Sequence, residues 1–350
     1  FAYSVVIGMK VPWETALAGV FVASILFMIL TAFKLREKVV DAIPRDLKMA
    51  ISAGIGLFIA FIGLSQGGLI VADKSTVVTL GSLQVGSTWL TIFGLIVTLV
   101  LMSARVPGAI FIGMVANSIL GLATGLIDMP KQLISGVPSI SSTFMVGLTH
   151  VSSINSLQLV VVVLTFLLVT FFDTTGTLVG LAEQAGLVKN NKLPRIGKAL
   201  MADSSTMVVG SLLGTSPMGA FVESSAGIAV GGRTGFTAIV TGILFIFGAF
   251  FSPLLAVVTN QVTAPALIIV GVLMAQSLKN IHWEKFEVAA PAFLIVLGMP
   301  LTYSISDGIA LGFITYPLTM IAAKRGKEVG AMMYGLAVVF VLFLWILNAD

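Results

Sequence analysis

The sequence predicts an all-α polytopic membrane protein, and three observations carry that prediction. Of the 350 residues, 57% are hydrophobic and 10% charged, with a mean hydropathy of +1.09. A soluble domain carries about 25% charged residues, so too little polar surface is present to coat a water-soluble globule. The chain also offers about eleven apolar runs near the ~20 residues that a bilayer-spanning helix needs. Finally, 16 of the 19 Lys and Arg fall in every second connection between those runs. Basic residues concentrate on the cytoplasmic side of membrane proteins, so the alternation both counts and orients the spans.

The runs follow in order. FAYSVVIGMK at the start is too short to span and reads as the tail of a segment. Run 13–33 leads into KLREKVVDAIPRDLK, which places 34–48 inside. Run 47–64 returns outward to 64–87, a stretch rich in Gly, Ser and Thr with β-branched patches such as STVVTLGSLQVGSTW. Runs 88–103 and 107–127 flank Arg105, and 128–156 is a second long outer connection. Both outer stretches read as ordered loops rather than domains. Run 157–182 precedes the basic VKNNKLPRIGK, and 199–213 and 216–231 lead to Arg233. Runs 235–258, 264–280, 286–303 and 306–323 follow, with the basic KNIHWEK after 264–280 and KRGKE after 306–323, both inside. Run 331–347 stands outside the alternation, as an extra span or an interfacial helix. A single Cys placed at Lys131 is therefore expected to react with an impermeant thiol reagent added outside, and one at Lys192 to resist it. The reverse labelling pattern would overturn the topology.

Composition also excludes chemistries. No Cys occurs, which removes disulfides, thiolate metal sites and a cysteine nucleophile. His150 and His282 are far apart in connections, and no HExxH, CxxC or Walker-type loop is present. No cofactor or metal is expected. The net charge of +4 follows the alternate loops and does not indicate nucleic-acid binding.

Two acids stand out. Leu159 to Phe172 reads LVVVVLTFLLVTFF, with Thr165 and Thr170 as the polar groups, and Asp173 follows directly. An ionisable residue inside a membrane segment costs ~2.5–3.5 kcal/mol on insertion scales. Thr177 is four residues on and shares a helical face with Asp173. The bland alternative is a structural polar knot with a neighbouring helix. The second case is GTSPMGAFVESSAGIAVGGRTG, which carries Glu223 near its middle. MGAFV has strand-like character and ESSAGIAVG reads as a short helix, so the span is discontinuous. Broken segments of this kind line mid-membrane substrate sites in transporters. Its alternative is a re-entrant outer loop with Glu223 solvated. Asp203 reads as a helix cap, Glu183 as solvated, Asp307 as a turn or cap residue, and Gly121-x-x-x-Gly125 as packing. Two acids on two spans point to a cavity that binds a polar ligand by hydrogen bonds and offers a place for a coupling proton.

FFDTTGTLVGLAEQAGL, ADSSTMVVGSLLGTSP and FVESSAGIAVGGRTG together resemble the AzgA-like purine permeases of the nucleobase–cation symporter superfamily. REKVVDAIPRDLKMAISAGIGLFIAFIGL resembles the same family. The resemblance implies a uracil-permease-like fold of fourteen segments in two inverted seven-segment repeats, with short strands in segments three and ten. It makes 1–34 the end of segment three plus segment four, in the core, with earlier segments expected before it. It makes 45–127 gate segments five to seven, 157–258 core segments eight to eleven, and 264–323 gate segments twelve to fourteen. The C-terminal hydrophobic helix is 331–347.

The resemblance further implies that Asp173 and Glu223 bind substrate and couple protons. Thr177, Ser224, Ala220, Phe221, Val222 and Phe1 complete the contacts. Glu223-Ser224 stands where the wider superfamily often has Gln-Asn, which favours hypoxanthine, guanine or adenine over xanthine or uric acid. The implied function is secondary active import of purine nucleobases with protons by alternating access. The implied surroundings are a multi-pass position in the cell membrane, with a homodimer among the forms the family allows. The alternative is an anion transporter or channel on the same fold, which two acids at mid-depth disfavour. An intramembrane enzyme would need a nucleophile–base pair or metal ligands, and no His or Cys lies in a span.

Overall fold

The computed structural model describes the chain except residues 2–4, 8–9, 131, 152–155, 188–192, 222–223, 230 and 348–350. Within helices it describes the backbone but not the side chains of 156–158, 161, 168–169, 172–173, 176, 179–180, 183–184, 225–226, 229 and 346–347. Lys131, Lys192, Val222 and Glu223 thus lie outside the described residues.

The chain is mostly helical, its long apolar helices follow in the order the runs predict, and the short helices Leu35–Ala42 and Val146–Thr149 lie in connections between them. The helices are α1 (Trp13–Ala32), α2 (Leu35–Ala42), α3 (Arg45–Gln66), α4 (Gly86–Ser103), α5 (Ala109–Ala123), α6 (Val146–Thr149) and α7 (Ser156–Gln184). Then follow α8 (Ile196–Leu213), α9 (Ser224–Ala229), α10 (Gly235–Gly248), α11 (Asn260–Ala275), α12 (Phe286–Thr302), α13 (Ile305–Ala322) and α14 (Ala331–Leu347). Six of the described helices are long and apolar enough to cross a membrane. Run 235–258 changes from α10 to a 3-10 stretch, Ala249–Val257, which contains Pro253 and a non-helical Phe251. Proline removes a helical N–H and crowds the preceding turn.

The described chain forms two compact units. One comprises Phe1–Ile55, Ser139–Val222 and Ser277–Asp350, and the other Gly56–Pro138 and Glu223–Gln276. In the first, α1 buries Ala16, Val20, Ala23 and Phe27 on one face, the three-to-four-residue spacing of a helical stripe. That stripe packs with Val162, Val163, Phe166 and Leu167 of α7 and Met207 of α8. A Cβ at Gly19 would overlap the Val162 side chain, so the missing side chain sets the close approach of α1 and α7.

Proline-freed carbonyls are answered by neighbouring helices. Pro291 in α12 has no N–H to give to the Glu287 carbonyl, and Thr319 Oγ1 of α13 donates to it at 2.7 Å. In the second unit, Pro265 of α11 leaves the Gln261 carbonyl free, and Asn117 Nδ2 of α5 donates to it at 3.0 Å. Within a bilayer no water is present to take that place.

α14 runs back along α13. Phe340 is fully buried and meets Phe313 edge-on at 5.5 Å, while Tyr334 Oη donates to the Gly326 carbonyl at 3.0 Å. The last apolar run therefore packs as a member of the helix bundle.

The connection between α3 and α4 holds an antiparallel hairpin, β1 (Ile70–Asp73) and β2 (Val77–Leu80), in register Ile70↔Leu80. Asp73 Oδ1 accepts from Ser75 N, Thr76 N and Thr76 Oγ1 at 2.8–3.1 Å. Those donors, the Thr76 amide foremost, hold its carboxyl below the usual aspartate range. The strands expected in segments three and ten are not paired strands among the described residues. Val5–Ile7 is one π-helical turn and 217–221 is irregular. Strand geometry is sustained by a partner ladder, which the β-branched run at 77–80 finds in its own hairpin.

Two small-residue readings resolve differently. A Cβ on Gly121 would overlap Ile127 and approach Leu90 at 3.1 Å, so Gly121 serves packing inside its unit. Gly125 has φ +70 and nothing near it. It ends the turn after α5 and is not the second half of a helix-pairing motif.

Candidate functional site

The backbone of α7 carries Asp173 past the middle of a 29-residue helix. The Asp173 side chain lies outside the described atoms, and those of its near neighbours define the surroundings. Thr174, Thr175 and Thr177 are all buried. Thr175 Oγ1 donates to the Phe171 carbonyl at 2.6 Å, the ordinary back-bond of a helical threonine. Thr177 Oγ1 is buried with no hydrogen-bond partner among the described residues. A native buried hydroxyl nearly always has a partner, and this one lies one turn after Asp173 on the same helix.

Thr174 Oγ1 instead donates to Asp203 Oδ1 at 3.2 Å. Asp203 was expected to cap a helix. It lies well inside α8, which starts at Ile196 after a left-handed Arg195. Its other oxygen, Oδ2, accepts from Arg36 Nη1 at 3.3 Å and Nη2 at 3.2 Å. Both side chains are buried, at 1% and 6% exposure. Arg36 Nη1 also donates to Ser204 Oγ at 2.8 Å, and the guanidinium stands over the Phe27 ring at 4.3 Å. Sequence reading missed this pair, because Arg36 sits in a basic loop where Lys34 and Lys38 are exposed as expected.

Phe1 stacks on Phe166 of α7, with centroids 6.0 Å apart, and packs against the first unit's core. Its described role is packing beside α7.

The broken segment begins where α8 ends at Gly214, φ +84, whose Cβ position falls 2.5 Å from the Thr143 carbonyl oxygen. Only glycine meets both demands. The segment then runs irregularly through Ala220, which is half-buried, and Phe221, which is 61% exposed. Ser224 opens α9 and is exposed. At the far end of α9, Arg233 Nη1 donates to the Ile228 carbonyl at 2.6 Å and to Gly232 at 2.9 Å. A cation there answers the free carbonyls of a helix end. A discontinuous span is thus present, as expected from its composition. Asp173, Thr177, Phe1, Ala220 and Phe221 belong to the first unit and Ser224 to the second.

The remaining acids are placed as follows. Ser304 caps α13 by accepting from Asp307 N at 3.2 Å, so Asp307 is a first-turn residue and Ser304 the cap. The Glu183 side chain lies outside the described atoms. His282 Nδ1 meets Asp46 Oδ1 at 2.8 Å, a contact between the connection before α12 and the first turn of α3. Among the described residues no group of three or more His, Cys, Asp and Glu is placed to hold a metal.

Apolar helices of spanning length, with a buried threonine-rich turn in α7 and a broken segment after α8, define a multi-pass membrane protein, and the family it belongs to makes it a transporter. The chain belongs to the permease family, whose xanthine/uracil-type model matches residues 1–311. It is 56% identical over 331 residues to the guanine/hypoxanthine permease PbuG of Bacillus subtilis, covering 95% of this chain and 75% of that protein. It is 48% identical over 341 residues to the guanine/hypoxanthine permease PbuO of the same organism, covering 96% and 79%. The adenine permease AdeQ of Escherichia coli matches at 39% over 343 residues, covering 98% and 77%. It is a multi-pass protein of the cell membrane.

Proposed function

We propose that the chain imports purine nucleobases, namely hypoxanthine, guanine or adenine, by proton symport. The observation that carries the substrate class is the 56% identity to a guanine/hypoxanthine permease over 95% of this chain. In this reading residues 1–34 and 157–258 move as a core against a gate of 45–127 and 264–323, and the site alternates between the two sides. Asp173 and Glu223 hydrogen-bond the purine edge and Asp173 carries the coupling proton. Thr177, whose buried hydroxyl has no hydrogen-bond partner among the described residues, and Ser224 add polar contacts, and Ala220, Phe221 and Val222 add backbone and surface. Phe1 flanks them.

The test is uptake of radiolabelled hypoxanthine, guanine, adenine and uracil by cells or liposomes holding the full-length protein, with and without an imposed pH step. Purine accumulation that follows the pH step supports the reading. Equal uptake with and without it would remove proton coupling, and no purine uptake would remove the function.

Glu223→Gln keeps the shape of the side chain and replaces one acceptor with a donor. A mismatched polar contact leaves buried groups unpaired and costs roughly 1–3 kcal/mol. The variant is expected to lose about tenfold or more in affinity for at least one purine and to reorder the preference among the three. Unchanged affinity and ranking in competition uptake would take Glu223 out of the site.

A further inference from the structure

We propose that Arg36 is a positioning residue for the substrate site, acting through Asp203 and Thr174 on the turn of α7 that carries Asp173. The inference rests on the purine-transport reading. Its geometry is a chain of contacts inside one unit. Arg36 lies on α2, a short helix in a connection that the charge pattern assigns to the cytoplasmic side. Of Lys34, Arg36 and Lys38, only Arg36 turns inward, and it is 1% exposed. Its guanidinium is held between the Phe27 ring of α1 at 4.3 Å and the Phe171 ring of α7 at 5.6 Å.

The guanidinium spans several acceptors of α8 at once. It reaches Asp203 Oδ2, Ser204 Oγ at 2.8 Å and the Leu200 carbonyl at 3.4 Å. Ser204 Oγ in turn donates to Leu200 O at 2.8 Å and lies 3.3 Å from Thr31 Oγ1 of α1. The Asp203 carboxylate is therefore divided. One oxygen is fixed by Arg36, and the other receives the Thr174 hydroxyl at 3.2 Å. Thr174 follows Asp173 directly in α7.

A helical threonine ordinarily turns its hydroxyl back to the carbonyl four residues earlier, as Thr175 does. The Thr174 hydroxyl is drawn to Asp203 instead. A rotation or slide of α7 near Asp173 must break that bond or move a carboxylate that Arg36 holds on its other side. An ammonium is a point charge without the planar fork, so Lys at 36 cannot meet the same set of acceptors.

The experiment measures purine uptake by full-length protein in liposomes, with KM and maximal rate per folded molecule. The variants are Thr174→Val, Thr174→Ser, Arg36→Lys and the double variant Arg36→Lys/Thr174→Val. Thr174→Val keeps the shape and removes the donor. It is expected to raise KM about tenfold, the scale of one lost hydrogen bond to a charged group, with the maximal rate per folded molecule within about twofold. Thr174→Ser restores the hydroxyl and should restore KM. Arg36→Lys should raise KM in the same way. The double variant should be no worse than its worse parent, since contacts in one network are not additive.

A wild-type KM for Thr174→Val, additive effects in the double variant, or a loss confined to the amount of folded protein would each overturn the inference. Failure of the unmodified protein to take up any purine would instead overturn the transport reading, and this inference with it.

Discussion

Asp173→Asn is expected to abolish purine accumulation driven by an imposed proton gradient. Asp173 follows fourteen residues without a charge and lies past the middle of the 29-residue α7. An ionisable residue within a membrane segment is kept at a cost and marks a proton or substrate path, and in the proposed cycle the carboxyl takes up and releases the coupling proton. The amide keeps the size and one hydrogen-bond acceptor but has no titratable proton. Purine binding to detergent-solubilised Asp173→Asn should survive with a modest loss, while net accumulation in liposomes after a pH step should fall to the level of empty liposomes. Facilitated exchange of labelled for unlabelled purine would persist if the variant still changes conformation. Wild-type accumulation by Asp173→Asn would make Asp173 a structural residue and move proton coupling elsewhere.

Asp203→Ala is expected to be strongly destabilising. It removes the carboxylate from a buried Arg36 whose Nε already has no hydrogen-bond partner among the described residues. Removing one member of a buried ion pair typically costs ~3–5 kcal/mol, because the other charge stays buried and uncompensated. Most of the variant protein should aggregate or elute as unfolded material in fluorescence-detected gel filtration. Asp203→Asn retains two polar atoms for Arg36 and Thr174 and should fall between the two. A double change, Arg36→Met with Asp203→Leu, removes both charges and should recover folded protein without recovering the low KM. Folded Asp203→Ala at wild-type yield and melting temperature would show that Arg36 finds another partner or reaches water.

The legible part of the molecule was the part written in local patterns. Span positions follow from apolar runs, because each helix satisfies its own backbone and needs only an apolar exterior to sit in lipid. α1 at Trp13–Ala32 and α13 at Ile305–Ala322 fall within a residue or so of the runs that predict them. Asp173 and the broken stretch after Gly214 are visible for the same reason, as polarity or glycine where the pattern demands neither. The family followed from contiguous motifs, and the match over residues 1–311 agrees with it.

What the tertiary structure decided was every pairing between distant positions. Asp203 looked like a cap because its residue type favours caps, and nothing near it in sequence names Arg36, 167 residues away. Arg36 looked like one more loop cation, because loop charge is read as a sum and not side chain by side chain. The prolines at 265 and 291 would read as helix defects until Asn117 and Thr319 are seen filling the freed carbonyls. A helix or a charge pattern is fixed by neighbours within about one turn. A buried polar group is fixed by whichever distant donor or acceptor the packing brings within hydrogen-bond reach, and that is a property of the folded chain alone.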